Sequence, residues 1–122
     1  MKDIVIIEND REILEIIEFL LLDKGFKVTA VLNEEDLWRL EKMPDLIILD
    51  NWLNGRSGHD ICIELKENEE TAAIPIILIS AANNLREVAR SCNADSFIEK
   101  PFDIDVLVNE VEIQLAKVDT RV

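Results

Sequence analysis

The sequence has few of the residues from which phosphate-binding loops and disulfide frameworks are built. Only three of its 122 residues are glycine, and it contains neither a G-x-G-x-x-G pattern nor a Walker loop. Two cysteines, Cys62 and Cys92, are too few for a disulfide framework, which predicts buried thiols in a reducing, cytoplasmic compartment. The single histidine, His59, is predicted to be exposed in the first turn of a helix, with no chemical role.

Basic residues and long apolar runs are also scarce. Thirteen Lys and Arg against 26 Asp and Glu give a net charge of −13, so the chain would repel nucleic acid. No apolar run approaches the roughly 18 residues of a membrane span, and Glu8 interrupts the N-terminal apolar segment too early for a signal peptide. Because a chain of this length can bury roughly two-thirds of its surface, we predict a single domain over residues 1–122.

Short apolar runs alternate with amphipathic segments along the whole chain, which predicts parallel strands joined by helices and an α/β fold. The predicted strands are residues 4–7, 26–31, 46–49, 74–79 and 96–99. Helical spacing places Ile16 on the buried face of the first helix and Ile104 on that of the last.

Polar side chains follow four of these strands, at the edge of a parallel sheet where ligands bind. They are Glu8, Asn9 and Asp10 after the first, Asp50 after the third, Ser80 after the fourth and Lys100 after the fifth. Grouped carboxylates repel each other unless a cation joins them, and oxygen ligands suit Mg²⁺. Lys100 and Ser80 could then hold a phosphoryl group, with Asp50 as the nucleophile that forms an acyl phosphate.

These residues resemble the receiver domains of two-component response regulators. The matching motifs are Ile7-Glu8-Asn9-Asp10, Leu49-Asp50, the loop glycine Gly58, Leu78-Ile79-Ser80-Ala81 and Glu99-Lys100-Pro101-Phe102. The resemblance covers essentially the whole chain. It implies a doubly wound, five-stranded parallel sheet of strand order 2-1-3-4-5, the flavodoxin-like or CheY-like (βα)5 fold, with a cis peptide before Pro101.

The resemblance also implies a function: Mg²⁺-dependent phosphorylation by a histidine kinase or histidine phosphotransfer protein, in a domain that is a switch rather than an enzyme. The implied roles are Asp50 as phosphoacceptor, Lys100 and Ser80 beside it, Ser80 and Phe97 as the switch pair, and Glu8, Asn9, Asp50 and the backbone carbonyl of Trp52 as Mg²⁺ ligands. A downstream effector would bind the face formed by helix 4, strand 5 and helix 5. We expect a monomer or a weak dimer.

Two departures from the family pattern leave alternatives open. Asn9 stands where an acid is usual, so Mg²⁺ binding is expected to be weak, or Asn9 is only the N-cap of the first helix.

A degenerate receiver that binds proteins without phosphorylation is the competing function. A haloacid-dehalogenase-type phosphatase is disfavoured because Trp52 occupies the position of its second aspartate. The resemblance also implies that Trp52 and Ala82 occupy the positions that flank the path of hydrolytic water, and because neither side chain can orient a water molecule, we expect a long-lived phosphoryl group.

Overall fold

A parallel five-stranded sheet forms the centre of the computed structural model, which describes residues 2–53, 56–81 and 83–119. Its strands are β1 (Asp3–Ile7), β2 (Lys27–Val31), β3 (Leu46–Asp50), β4 (Ile76–Ser80) and β5 (Ser96–Glu99). The helices are α1 (Arg11–Asp23), α2 (Glu34–Trp38), α3 (Gly58–Glu67), α4 (Leu85–Ser91) and α5 (Ile104–Asp119). A short antiparallel hairpin pairs Trp52–Leu53 with Arg56–Ser57.

The strand order is β2-β1-β3-β4-β5, and all neighbouring strands are parallel. This confirms the predicted fold class and strand order. The order reverses between β1 and β3, so the carboxyl ends of these strands border the crevice in which doubly wound sheets bind their ligands.

The core consists of two apolar layers, one on each face of the sheet. Alternate residues of β1 point in opposite directions, so Ile4 and Ile6 join one layer while Val5 and Ile7 join the other. Helices α1 and α5 cover the first layer, and α2, α3 and α4 cover the second. Strands β3 and β4 are buried along their whole length, as expected for inner strands of a sheet covered on both sides.

The helix ends and turns carry residue types that favour these positions. Asn33 and Ser57 accept backbone hydrogen bonds at the N-termini of α2 and α3. Gly25 and Asn93 follow α1 and α4 in the left-handed region, with φ of 91° and 61°. The Lys100–Pro101 peptide is cis.

Three details of the sequence interpretation are wrong. The N-cap of α1 is Asp10 and not Asn9: its side chain accepts hydrogen bonds from the N–H groups of the next turn. Ile16 and Ile104 are 55% and 52% exposed. Leu14 lies in the core in place of Ile16, because α1 turns the face of Leu14, Ile17 and Leu21 to the sheet, and the core residues of α5 are Leu107, Val111 and Leu115. The second and fourth strands begin at Lys27 and Ile76, one and two residues later than predicted.

No helix in the described ranges combines the length and apolarity needed to cross a bilayer.

Candidate functional site

The carboxyl ends of four strands bring Glu8, Asp50, Ser80 and Lys100 together, as the sequence predicts. The Lys100 ammonium lies 3.2 Å from Glu8 Oε2 and 3.6 Å from Asp50 Oδ1. Glu8, Asp50 and Ser80 are 0%, 4% and 1% exposed, respectively. Two carboxylates, a hydroxyl and an ammonium therefore meet at an edge of the sheet where little water is available to screen their charges.

Lys100 reaches this site because the chain turns back at the end of β5. Its backbone N–H donates to the Ser80 carbonyl at 2.8 Å, which continues the pairing of β5 with β4 by one residue. The cis peptide to Pro101 follows immediately. The Lys100 side chain then extends across the carboxyl ends of β4 and β3 to the acids on β3 and β1.

The electrostatics of the site are dominated by the two buried acids. Burial raises the pKa of Glu8 from its ordinary value of 4.5 to about 7, and a hydrogen bond with Asp50 and the charge of Asp50 act in the same direction. The N–H of Asp10, which donates to Glu8 Oε1 at 3.0 Å, and the Lys100 ammonium oppose this rise in pKa. Glu8 therefore keeps its proton to a higher pH than an ordinary glutamate does.

The donor set fits a hard divalent cation such as Mg²⁺. Two buried carboxylates repel each other, and a cation between them would offset this repulsion and oppose the rise in the Glu8 pKa. Within residues 2–53, 56–81 and 83–119, no group of three or more His, Cys, Asp and Glu side chains forms a metal site. Any further oxygen ligands would have to be neutral, which the Asn9 amide or a backbone carbonyl can supply.

Asn9 and Asp10 have different surroundings although they are adjacent and both exposed. The Asp10 carboxylate accepts from Glu12 N at 3.0 Å and from Ile13 N at 3.3 Å, so it is committed to the N-terminus of α1. Because Asp10 caps α1, Asn9 is not the N-cap that the sequence left open as an alternative. Asn9 directly follows Glu8, at the mouth of the site.

The residue after Asp50 organises the site, and sequence reasoning missed it. Asn51 is buried, its carbonyl accepts from Gly58 N at 2.8 Å and its side-chain oxygen accepts from His59 N at 3.1 Å. A Cβ on Gly58 would lie 2.8 Å from Asn51 Cα and closer still to the Asp50 carbonyl. The N-terminus of α3 is thus held directly against the Asp50 backbone. The sequence signal that could have identified Asn51 is its position, since it is a polar residue between a buried strand and a loop.

The remaining predicted residues lie around this centre. Phe97 is half-buried on β5, with the Arg86 guanidinium 5.9 Å from its ring centroid. The backbone of Trp52 lies in the hairpin after β3, where it pairs with Ser57. The side chain of Trp52 and the whole of Ala82 lie outside the described residues, so their predicted part in hydrolysis stays a prediction.

Comparison with known families agrees with this site. The family described as the response regulator receiver domain matches residues 4–112. The chain belongs to this family. As a receiver domain, it is the phosphoaccepting type of module of two-component systems rather than a conventional enzyme, and receiver domains interact with histidine kinases.

Individual relatives cover the receiver domain over nearly all of its length. It is 31% identical, over 126 aligned positions, to the phosphate regulon transcriptional regulatory protein PhoB of Rhizobium meliloti (strain 1021). That alignment covers 100% of this chain and 56% of the relative, so the receiver domain spans just over half of that protein.

Solved structures agree at the level of the backbone. The signal receiver domain of a histidine kinase from Syntrophus aciditrophicus matches with a TM-score of 0.88 and 31% identity, covering 100% of this chain and 96% of that one. The response regulator TrrA of Thermotoga maritima, in complex with Mg²⁺ and BeF, matches with a TM-score of 0.83 and 27% identity, covering 93% and 99%.

Proposed function

We propose that residues 1–122, as a single receiver domain, accept a phosphoryl group on Asp50 from a histidine kinase or a histidine phosphotransfer protein and act as a phosphorylation-controlled switch. The observation that carries this proposal is the convergence of Glu8, Asp50 and Lys100, with the ammonium within 3.6 Å of both acids. The structure of TrrA with Mg²⁺ and BeF supports the same chemistry for a relative.

In the transfer, a carboxylate oxygen of Asp50 attacks phosphorus in line with the leaving imidazole of the donor. The P–O bond to Asp50 forms while the P–N bond breaks, and the electron pair of that bond remains on the imidazole nitrogen. Lys100 neutralises charge on the phosphoryl oxygens, and the Ser80 hydroxyl at the end of β4 donates a hydrogen bond to one of them.

Four groups would hold Mg²⁺: the Glu8 and Asp50 carboxylates, the Asn9 amide oxygen and the Trp52 carbonyl. Bound there, Mg²⁺ would supply positive charge against the phosphoryl oxygens. The burial of the Glu8 and Asp50 carboxyl groups side by side supports this assignment, because a cation would offset the repulsion between them. The neutral amide of Asn9 makes the proposed affinity weak.

We place the output of the switch on the face of α4, β5 and α5. Ser80 would turn toward the phosphoryl group and Phe97 would move inward from its half-buried position. The polar side chains of this face are all exposed and carry both signs of charge: Arg86, Arg90, Glu99, Asp105, Asn109 and Glu112. A mixed, polar surface suits a reversible effector contact.

The test is phosphorylation by acetyl phosphate with Mg²⁺, measured as intact mass. The wild-type chain is expected to gain one phosphoryl group, and the gain should disappear without Mg²⁺ and in Asp50→Ala. Asp60→Ala, which removes an exposed acid at the start of α3, is the matched control and should be labelled like the wild type. Labelling that survives in Asp50→Ala would refute the proposal.

The second candidate function is a degenerate receiver that binds partners without phosphorylation. Asn9, a neutral residue at the mouth of an otherwise acidic site, favours it. This alternative predicts a folded wild-type chain that stays unlabelled at saturating Mg²⁺, whereas Asn9→Asp gains labelling. Equal labelling of both chains would exclude it.

A further inference from the structure

Helix α3 is joined to the end of α4 by two side-chain contacts at consecutive residues. His59 Nε2 lies 2.8 Å from Ser91 Oγ, and the Cys62 thiol donates to the Cys92 carbonyl at 3.4 Å. His59 and Cys62 are three residues apart and so share one face of α3. We call these four residues, His59, Cys62, Ser91 and Cys92, the α3–α4 clasp.

The Ser91 hydroxyl takes part in two contacts. It donates to the Val88 carbonyl at 2.9 Å and lies 2.8 Å from His59 Nε2, while His59 Nδ1 lies 3.3 Å from Asp60 Oδ1. The same Val88 carbonyl accepts from Cys92 N at 3.2 Å and closes the last turn of α4. The His59 imidazole therefore holds a hydroxyl that is itself part of the hydrogen bonding of that turn.

The other end of α3 is attached to the phosphoacceptor strand. Asn51 receives the N–H groups of both Gly58 and His59, and the backbone of Gly58 packs so closely on the Asp50 carbonyl that no side chain fits between them. A shift of the Asp50–Asn51 backbone consequently moves the first turn of α3, because close-packed contacts transmit displacement instead of absorbing it. His59 belongs to both attachments, through its backbone N–H and its imidazole.

We propose that the α3–α4 clasp is a second connection from the phosphorylation site to α4, running from Asp50 through Asn51 and His59 to Ser91. It rests on the proposed function, and it is separate from the Ser80 and Phe97 pair, which reaches α4 from the other side through β4 and β5. His59 is a positioning residue in this route and touches no reacting atom. The part that changes between the two states of the switch is the last turn of α4. The α3–α4 clasp is closed in one state and open in the other.

The single histidine allows a direct test, because its imidazole contributes one resolved set of NMR signals. The chain is loaded with beryllofluoride and Mg²⁺, and bound fluoride is detected by ¹⁹F NMR. The imidazole signal is then followed together with hydrogen exchange of the amides of residues 88–92. In the wild type, loading should shift the imidazole signal and change the exchange of these amides by at least about threefold.

Variants at Ser91 separate coupling from simple stabilisation. Ser91→Ala removes the hydroxyl that contacts the His59 imidazole, so the imidazole response to beryllofluoride should be lost and the exchange response of residues 88–92 should at least halve. Ser91→Thr keeps the hydroxyl and should restore both responses. Glu87→Ala, at an exposed position of α4 outside the clasp, should behave like the wild type.

The failures of the two proposals are distinguishable. Bound fluoride without any change at His59 or residues 88–92 overturns the clasp proposal alone, as does a Ser91→Ala response equal to that of the wild type. The absence of a bound ¹⁹F signal at saturating Mg²⁺ overturns the proposed phosphoryl binding, and with it the connection that rests on that binding.

Discussion

Among single residues, Glu8 and Asp50 have a large electrostatic effect, because burying two neighbouring carboxyl groups costs free energy. A proton on Glu8 or a bound cation lowers this cost. Between pH 4.5 and about 7, folded Glu8 retains a proton that the unfolded chain has released. Unfolding therefore releases a proton in this window, and the stability that the raised pKa contributes is lost as the pH rises through 7. Replacing Glu8 should remove this pH dependence.

We expect Glu8→Gln, unfolded by urea in the presence of a chelator, to be more stable than the wild type at pH 8 by about 1–3 kcal/mol. The difference should vanish below about pH 3.5, where Glu8 is protonated in both states. Glu15→Gln makes the same charge change at an exposed position of α1 and should leave the pH dependence intact. Parallel pH profiles for wild type and Glu8→Gln would contradict the raised pKa.

Asn9 is the residue that sets metal affinity in our proposal. A carboxylate at this position would attract a divalent cation by about 4 kcal/mol per unit charge at 4 Å and an effective dielectric of 20, an upper limit that repulsion from Glu8 and Asp50 reduces. We expect Asn9→Asp to bind Mg²⁺ about 3-fold to 30-fold more tightly by isothermal titration calorimetry.

Asp10→Asn is the matched control for this titration, because the Asp10 side chain caps α1. Its Mg²⁺ midpoint should stay within about twofold of the wild type. An Asn9→Asp midpoint that is unchanged or weaker would show that position 9 does not contact the metal.

Gly58 is required for steric reasons. A Cβ there would collide with the backbone of Asp50 and Asn51, which cannot rotate away as a side chain could. We expect Gly58→Ala to lower the free energy of unfolding by about 1–3 kcal/mol. Glu67→Ala, at an exposed position of the same helix, should change it by less than about 0.5 kcal/mol. Equal effects in urea unfolding would mean that the loop adapts to the extra methyl group.

At the scale of elements, α3 is attached at both ends. Its C-terminal anchor is Lys66, whose ammonium donates to Asp95 at 2.6 Å and to the Ile74 carbonyl at 2.9 Å, while Asp95 also accepts from Ile76 N. Lys66 and Asp95 thereby tie α3 to the start of β4. Lys66 lies in the last turn of α3, which extends to Glu67.

We expect Lys66→Met to destabilise the chain by about 1–3 kcal/mol, because Asp95 and the Ile74 carbonyl lose a charged donor at a site that is only slightly exposed. Lys42→Met, at an exposed position, is the control. A double-mutant cycle with Asp95→Asn in urea unfolding isolates the pairwise contribution. A coupling energy of zero would mean that the pair adds no stability of its own.

At the scale of the whole molecule, the net charge of −13 opposes association of two copies. We therefore expect sedimentation to show a monomer, or a weak dimer that beryllofluoride with Mg²⁺ strengthens and that becomes tighter as salt screens the repulsion. Measurement at two salt concentrations, with and without the phosphoryl mimic, checks both dependences. A tight dimer that is equally stable in all four conditions would contradict this expectation.

The alternation of strands and helices could be predicted from the sequence alone, since buried strands such as residues 46–49 are continuous apolar runs. The sequence also predicted that Glu8, Asp50, Ser80 and Lys100 would meet, because the carboxyl ends of parallel strands share one edge of the sheet. These inferences depend on local periodicity and on topology, which are both readable along the chain.

Features that depend on packing between elements could not be predicted from the sequence and are known from the three-dimensional structure alone. The rotation of α1, which buries Leu14 and exposes Ile16, is set by the sheet and by α5, because several apolar stripes on this helix are nearly equivalent. Whether Asn9 or Asp10 caps α1 depends on where the chain leaves β1. The contact of His59 with Ser91 joins residues 32 positions apart, and local sequence carries no information on such a distance.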